Sequence, residues 1–509
     1  HAFHHALVCD SAYDSLPYRR RRELHANLST RLETRFSTDL APQAASLAHH
    51  WERAENWERA FTARLAAGDA ALQNYANHEA ADHFSAAVIL RGKVSALQTH
   101  AQAWHAELGL ARAEHRMGDE RSSRAHIDEA LRATGENLPT HRGTLVLGIL
   151  RELIVRALPA RLRPRPETQR RGTLRATVQA FDTLPEILYY DNDPLALTHA
   201  TLRFLRLAEA EAYPSAEHAR ALAWFAVLLA SFGSRHALDR RLDHALVLAD
   251  SANDMQVDAW IRLARGSTMA QLGDWSAAEQ WLADARARCA AMGDRTRWWN
   301  VTSGLGHVLS YRGELAAGAA LLNEALNINR ATDNPLFLCW GLSGHAEILH
   351  RLGRPEERGE IVRRLRGARD ALAQRPDAAA DLFSRGVLAA ALWRDDHHDE
   401  AFALARSTID QTLDRAPLVW LQVSSYLGLA EVLSEAGHDP ALRAEALRLF
   451  ARLENSLRGF ARLIPVGRAA HQLVCGQIAL LLSRPETARK HLLSGLQCAQ
   501  QLGQPLEAG

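Results

Sequence analysis

The stretch GSTMAQLGDWSAAEQWLADA, residues 266–285, decides how this chain folds. Its Gly266, Met269, Gly273, Ala278, Leu282 and Ala285 return 40 residues later as Gly306, Leu309, Gly313, Gly318, Leu322 and Ala325. The same period holds outward in both directions. Gly233, Gly273, Gly313 and Gly353 share one slot, which Asp193 occupies one period upstream. A large apolar side chain stands four residues before each slot (Tyr189, Leu229, Met269, Leu309, Leu349) and another nine after it (Leu202, Leu242, Leu282, Leu322, Val362). Three residues further on come Leu205, Ala245, Ala285, Ala325 and Leu365. Small residues seven before the slot, at Ala226, Gly266, Gly306 and Ala346, allow two helices to approach closely. The pattern spells helix, turn, helix, restated across 193–365. Such a period indicates a solenoid whose units bury their apolar faces by stacking. The expected fold is all-α: a superhelix of helical hairpins, an α-solenoid with repeats of about 40 residues.

The order of a small residue, a large apolar one, a turn glycine, a small one, an aliphatic one and an alanine resembles the tetratricopeptide (TPR) repeat. That repeat usually has about 34 residues, so each unit here needs longer helices or longer connections. Hairpins with the same internal spacing begin before the regular block, at Ala60, Arg64 and Ala67, then Ala80, Phe84 and Ala87, then Gly118, Ile127 and Ala130. Beyond Leu365 the register loosens. Counted from Gly353, the turn slot passes to Asp396, Gly437 and Ser483 at intervals of 43, 41 and 46 residues, so connections vary while hairpins persist. Residues 145–158 read as one apolar helix. The string Arg161-Leu162-Arg163-Pro164-Arg165-Pro166 cannot be helical throughout, because proline lacks an amide donor and restricts the residue before it. It reads as an exposed loop.

A chain of 509 residues, 47% apolar and 23% charged, can bury a large interior as a stack. Its formal charge of +1, with arginines and carboxylates interspersed, offers no field to nucleic acid or an anionic membrane, and neither partner is expected. The two lysines stand in Gly92-Lys93-Val94 and Arg489-Lys490-His491, so the Gly-Lys-Ser/Thr of a phosphate loop is missing. No apolar run reaches the ~18 residues of a membrane span; the best, at 145–155, is broken by Arg151 and Glu152. Cys9, Cys289, Cys339, Cys475 and Cys498 are scattered without a CxxC pair, which fits reduced thiols and an expected cytoplasmic location. The first residue is His1 and not Met, so the chain reads as a piece of a longer protein.

Near the start, Phe3, Leu7, Tyr13 and Leu16 recur at helical spacing, and the four arginines at 19–22 read as a solvated helix face. The strings Phe3-His4-His5-Ala6-Leu7, Asp10, Ala12-Tyr13, Ser15-Leu16 and Arg21-Arg22-Glu23-Leu24-His25 resemble a known junction. It lies just after the ATPase module of bacterial signal-transduction ATPases of the STAND type. These include proteins that join a class III adenylate/guanylate cyclase to an ATPase and a TPR arm. The resemblance continues through Leu47-Ala48-His49-His50, Ala60, Ala66-Ala67-Gly68, Ala70, Tyr75, Glu79-Ala80, Phe84 and Ala87, and again at Ile187, Leu202-Arg203 and Leu207-Ala208-Glu209. It implies that 1–43 is the helical tail of an ATPase/winged-helix module. After it the expected division is N-terminal hairpins at 44–160, a linker and entry helix at 161–185, and a TPR-like superhelix at 186–509. The resemblance implies ATP and Mg for the missing ATPase module only, with no cofactor in this piece. It also makes His5 a candidate nucleotide sensor, against the alternative of a packing histidine. Regulators of the LuxR type carry a helix-turn-helix after their repeats. Residues 504–509 are too few for one, so if the piece runs to the native C-terminus an effector is expected ahead of the ATPase.

No catalytic residue is expected. The string Gly341-Leu342-Ser343-Gly344-His345 misses the Gly-x-Ser-x-Gly elbow by one position and lies within a helical repeat rather than after a strand. Gly304-Leu305-Gly306 lacks the third glycine of a dinucleotide fingerprint. The 25 histidines include neither HExxH nor zinc-spaced Cys/His clusters. The pairs His4-His5, His49-His50 and His397-His398 diverge by about 100° on a helix, so no metal site is expected. Asp395-Asp396-His397-His398-Asp399-Glu400 reads as a solvated turn.

What a solenoid offers instead is a concave face lined by its first helices. Trp260, Trp299 and Trp340, spaced by 39 and 41 residues, form a candidate aromatic ladder. Asn300, Ser303, His307, Ser343, Glu347 and His350 follow as polar lining for a protein, a peptide or a small ligand. The alternative is that each tryptophan wedges between successive hairpins, with one of Trp298 and Trp299 in the core. The function expected is a non-catalytic sensor and protein-interaction arm that regulates an attached ATPase and its effector. A regulatory end of a nucleotide cyclase and a passive assembly scaffold are the alternatives.

Overall fold

The structure, a computed structural model, describes residues 13–37, 39–94, 96–170, 172–211, 215–230, 235–332, 334–353, 355–374, 377–413 and 418–505, side chains excepted at 96–103, 160, 169, 170, 329–332, 355 and 374. His5 and Gly233 lie outside the described residues. Among the described residues every regular element is helical: α1 (Tyr18–Arg35), α2 (Ala44–Arg53), α3 (Trp57–Gln73), α4 (Asn77–Leu90), α5 (Ala96–Arg116), α6 (Glu120–Thr134), α7 (Arg142–Ala157), α8 (Glu167–Arg170), α9 (Leu174–Phe181), α10 (Leu184–Tyr190), α11 (Pro194–Ala208), α12 (Ala216–Ala230), α13 (Arg235–Ser251), α14 (Met255–Leu272), α15 (Trp275–Met292), α16 (Arg295–Tyr311), α17 (Leu315–Thr332), α18 (Pro335–Leu352), α19 (Arg358–Gln374), α20 (Ala378–Arg394), α21 (His398–Thr412), α22 (Val423–Ala436), α23 (Arg443–Leu463), α24 (Gly467–Leu481) and α25 (Pro485–Gln501), with short 3₁₀ turns between some of them. None of these helices is long and apolar enough to cross a membrane.

The chain forms two compact units. One comprises the described residues of His1–Leu138 and Glu167–Ala180, the other Pro139–Pro166 and those of Phe181–Gly509. In the first, Phe84 of α4 is fully buried, wedged between Gly68 of α3 and Gly109 of α5. A Cβ at either glycine would come within 2.6 Å of the Phe84 ring, so only glycine lets the three helices meet. Ala60, Ala67, Ala80, Ala87, Ile127 and Ala130 are buried as the hairpin spacing requires. Arg64, partly buried, makes a bidentate pair with Glu52 and also reaches the buried His83.

The second unit carries the regular array, and its turns explain the long repeat. Asn253, Gly273 and Gly293 adopt left-handed φ of 52°, 82° and 72°. The Asp254, Asp274 and Asp294 carboxylates that follow accept from the backbone N–H of Val257, Ala277 and Arg297, capping α14, α15 and α16. Such a cap contributes about 0.5–2 kcal/mol. A left-handed residue thus recurs every 20 positions, through Gly313, so the connections within and between repeats are equally short. The extra length lies in the helices, which run to 18 residues in α14, α15, α17 and α18. Each is about 27 Å long at ~1.5 Å per residue. In the first regular unit the left-handed residue is Asn192, one before the slot, and Asp193 itself caps α11 by accepting from Ala196 N–H. The small-residue position works as a contact: a Cβ on Gly266 would lie 2.7 Å from Leu282 Cγ.

Within this unit α7 spans the apolar run. Its buried Glu152 is paired with Arg203 and Arg206 of α11. After it only Ala160–Leu162 of the proline-rich string is helical, as one 3₁₀ turn, and Leu162 is exposed. The last helices return to the regular block. Trp275 Nε1 donates to the Leu502 carbonyl at 2.5 Å, Val466 N–H to the Gln271 carbonyl at 3.4 Å, and Pro505 packs on Gly313. The unit therefore curls until its end meets the turns of α14 and α16.

Candidate functional site

The first helices of successive hairpins, α14, α16, α18 and α20, share an inner wall. Trp260 of α14 lies 5.4 Å from Trp224 of α12 between ring centroids. Trp299 of α16 stacks on Phe337 of α18 at 4.2 Å and 2°, and Trp340 of α18 stacks on Phe383 of α20 at 5.1 Å. Each tryptophan joins its hairpin to a neighbouring one, the wedge that repeat spacing allows. Trp298 and Trp299 are both buried, the former beneath the Arg286 guanidinium, so the core takes two indoles where one was expected.

Of the polar lining, Ser303, His307, Ser343 and Glu347 are buried, whereas Asn300 and His350 are half-exposed. The exposed face expected at these positions is not what forms, and at His307, Tyr311 and Glu347 the chain's own residues 418–426 cover the wall. Trp420 packs on Tyr311, Trp275 and the edge of His307. Gln422 is fully buried in the same 3₁₀ turn. Leu418 N–H donates to Asn192 Oδ1 at 3.0 Å, fixing the entry to this segment.

Behind the cover is a polar hub. Glu347 Oε1 accepts from Arg351 Nε one helical turn on and from Ser424 Oγ at 2.9 Å. Tyr311 Oη lies 2.9 Å from the same Ser424 hydroxyl, and the Arg351 guanidinium sits 4.8 Å over the Tyr311 ring. His350 lies at the rim, where its Nε2 is 3.5 Å from Glu431. Burial pushes the Glu347 carboxyl up, but Arg351, His307 and Ser424 outweigh it and hold the group below its usual range. Burial also pulls His307 down to about 4. Its ring is therefore neutral near pH 7, and the 3.8 Å separation from Glu347 Oε2 is not an ion pair. Neither His307 nitrogen has a hydrogen-bond partner, nor do Glu347 Oε2 and Trp299 Nε1. Among the described residues, the hub thus holds unmet donors and acceptors beside a carboxylate that already accepts from Arg351 and Ser424.

Sequence reading singled out His307, Ser343 and Glu347 but missed Tyr311, Arg351 and Ser424. Arg351 had a local signal, since a glutamate four residues before an arginine on a helix forms a pair. Ser424 had none, because its contact with Glu347 spans 77 residues. Of the remaining motif strings, Ser343 lies in mid-helix and Gly304 and Gly306 are in α16, while Asp395 and Asp396 form the turn before α21 and His398, Asp399 and Glu400 are the first turn of that helix rather than part of the loop.

Neither a protein-family model nor a curated protein sequence matches this chain. Among solved structures, the chain is similar to a Rap protein complexed with competence and sporulation factor, at 9% identity and a TM-score of 0.46, covering 79% of this chain and 99% of that one. It is also similar to a signal-transduction ATPase with a tetratricopeptide-repeat sensor from Pyrococcus horikoshii, at 10% identity and a TM-score of 0.40, covering 92% of this chain and 74% of that one. At these scores the likeness adds nothing to what the helices themselves define. On its own backbone the chain is an all-α array of TPR-like helical hairpins.

Proposed function

We propose that this chain is a sensor and protein-interaction arm, without a reaction of its own, that regulates a signalling ATPase joined to it. The observation that carries the reading is the inner wall, where His307 and Glu347 Oε2 are buried without hydrogen-bond partners. Each such group costs about 1–3 kcal/mol. A protein, peptide or small ligand that satisfies them recovers this cost by binding a form of the arm in which the wall is reached. Different affinity for two forms is what regulation requires. Asn300 and His350 at the rim offer the first contacts, with Ser303, Ser343 and the three tryptophans behind them. The strings from Phe3 to His25 support an ATPase in the same polypeptide, which would hold ATP and Mg there, with His5 near it as nucleotide sensor. The further strings at Ile187 and Leu207-Ala208-Glu209 favour a nucleotide cyclase as the effector.

The test is ATP hydrolysis by the full-length parent, compared with the parent lacking this arm and with Glu347→Gln and His307→Leu in the intact chain. The reading predicts that removing the arm changes the basal rate several-fold. The two wall variants, still helical by circular dichroism, should shift it in the same direction. ATP turnover by the isolated arm, or a rate indifferent to all three changes, would overturn it.

A further inference from the structure

Away from the inner wall, α23 and α24 pack as a hairpin joined by residues 464–466. Three chemically different side chains converge between them. Glu454 comes from α23, and His471 and Cys475, four apart on one face of α24, come from the other helix. Glu454 Oε1 lies 2.7 Å from His471 Nε2, Cys475 Sγ lies 3.6 Å from the same nitrogen, and Sγ is 3.9 Å from Oε1. All three residues are of intermediate burial, the His471 and Glu454 side chains 17% and 14% exposed.

Two kinds of chemistry use a cysteine, a histidine and a carboxylate, and the geometry separates them. In a nucleophilic relay the thiol and the carboxylate occupy opposite ring nitrogens, one activated and the other orienting. Here both approach Nε2, so no relay exists. Burial also raises the Cys475 thiol to about 11, which leaves little thiolate to attack anything near pH 7. Convergence of one oxygen, one nitrogen and one sulfur on a common point is instead the arrangement of metal ligands. With bonds of about 2.0–2.3 Å to O, N and S, the edges of a tetrahedral site are roughly 3.3–3.6 Å. The two sulfur edges already stand within a few tenths of an ångström of that. The oxygen–nitrogen edge needs only to open from a hydrogen bond. Arg458 holds the far oxygen of Glu454, Oε2, and also donates from Nε to Oε1 at 3.0 Å. Its side chain is 48% exposed, free to swing off Oε1 while orienting the carboxylate from behind.

We propose that Glu454, His471 and Cys475 form a zinc site, three protein ligands with a fourth position open to water, that pins α23 to α24. Zn(II) suits this mixed set because it accepts thiolate, imidazole and carboxylate together. Binding replaces the thiol proton, Cys–SH giving Cys–S⁻–Zn and H⁺. The site is independent of the ATPase reading and would stand if that reading failed.

The test is titration of the chelator-treated chain with Co(II), followed by displacement with Zn(II). One Co(II) per chain should bind with a thiolate-to-cobalt charge-transfer band and the intense visible bands of tetrahedral cobalt. Zn(II) should abolish both without further proton release, since the thiol proton leaves when the first metal binds. Cys475→Ser and His471→Ala should lose the charge-transfer band or weaken binding at least about tenfold, whereas Cys498→Ser should leave it unchanged. Zinc X-ray absorption on the wild-type chain, which needs no variant to fold, should show one sulfur neighbour. Octahedral cobalt without the band or only nitrogen and oxygen around zinc would mean adventitious binding by surface histidines, a band that survives Cys475→Ser would mean binding at another cysteine, and any of these would overturn the proposal.

Discussion

Two histidine–glutamate pairs in the same unit behave in opposite ways. His307 and Glu347 face each other from α16 and α18 at 3.8 Å, almost wholly shut off from water, and the imidazole keeps no partner. His471 and Glu454 meet across α24 and α23 at 2.7 Å, their side chains only partly buried at 17% and 14% exposed against 1% and 4% for the first pair, and share their contact with a thiol and an arginine. The difference teaches that where water is excluded, burial decides protonation and unmet hydrogen bonds accumulate as a cost. Where water enters, the same two residue types pair closely and can take a further ligand.

The contrast breaks first if the two glutamates prove equally important to stability. Glu347→Ala removes a buried carboxylate that accepts from Arg351 and Ser424 and should cost about 1.5–3 kcal/mol. The metal-free Glu454→Ala variant frees the half-exposed Arg458 and should cost no more than about 1 kcal/mol. Urea midpoints at unchanged m-value measure both. Of similar size is the pH dependence. The His307 pKa is depressed from 6.5 to about 4 in the folded chain, so the unfolded chain takes up the proton first as pH falls. The stability this residue contributes is complete above pH ~6.5 and drains away between there and pH ~4, by about 3 kcal/mol. His345, likewise lowered to about 4, adds a loss of the same sign. Urea midpoints at pH 7 and 4.5 should converge partly in His307→Leu, and a slope identical to wild type would place the proton elsewhere.

Two glycines sharpen the comparison at smaller cost. A Cβ at Gly344 would stand 2.6 Å from His307 Nε2, so Gly344→Ala should destabilise by about 1–3 kcal/mol. Gly459 on α23 has nothing within 4 Å of the added atom, and Gly459→Ala should stabilise its helix by about 0.5–1 kcal/mol. Thermal melts read both, and equal signs would show that the two regions are not packed differently.

The sequence made the hairpins legible because their contacts are local and periodic: Gly266 against Leu282, and Gly273 and Gly313 with left-handed φ, repeat at fixed offsets. It hid the half-period, because Asn253 serves the same left-handed turn as Gly293 and breaks the glycine pattern. The covered wall was illegible for a different reason. How far a stack curls depends on small rotations summed over several repeats, so nothing local announces that Trp420 and Ser424 return to Tyr311 and Glu347. The Glu454–His471–Cys475 cluster escaped notice because only His471 and Cys475 are close in sequence, and their spacing matches none of the usual zinc motifs.

That residues 418–426 cover the inner wall is tested most directly by a double-mutant cycle of Tyr311→Phe and Ser424→Ala, the two hydroxyls that meet at 2.9 Å across 113 residues. A coupling of about 0.5–1.5 kcal/mol in urea unfolding is expected for a buried hydrogen bond between them. Strictly additive effects would contradict the closed wall.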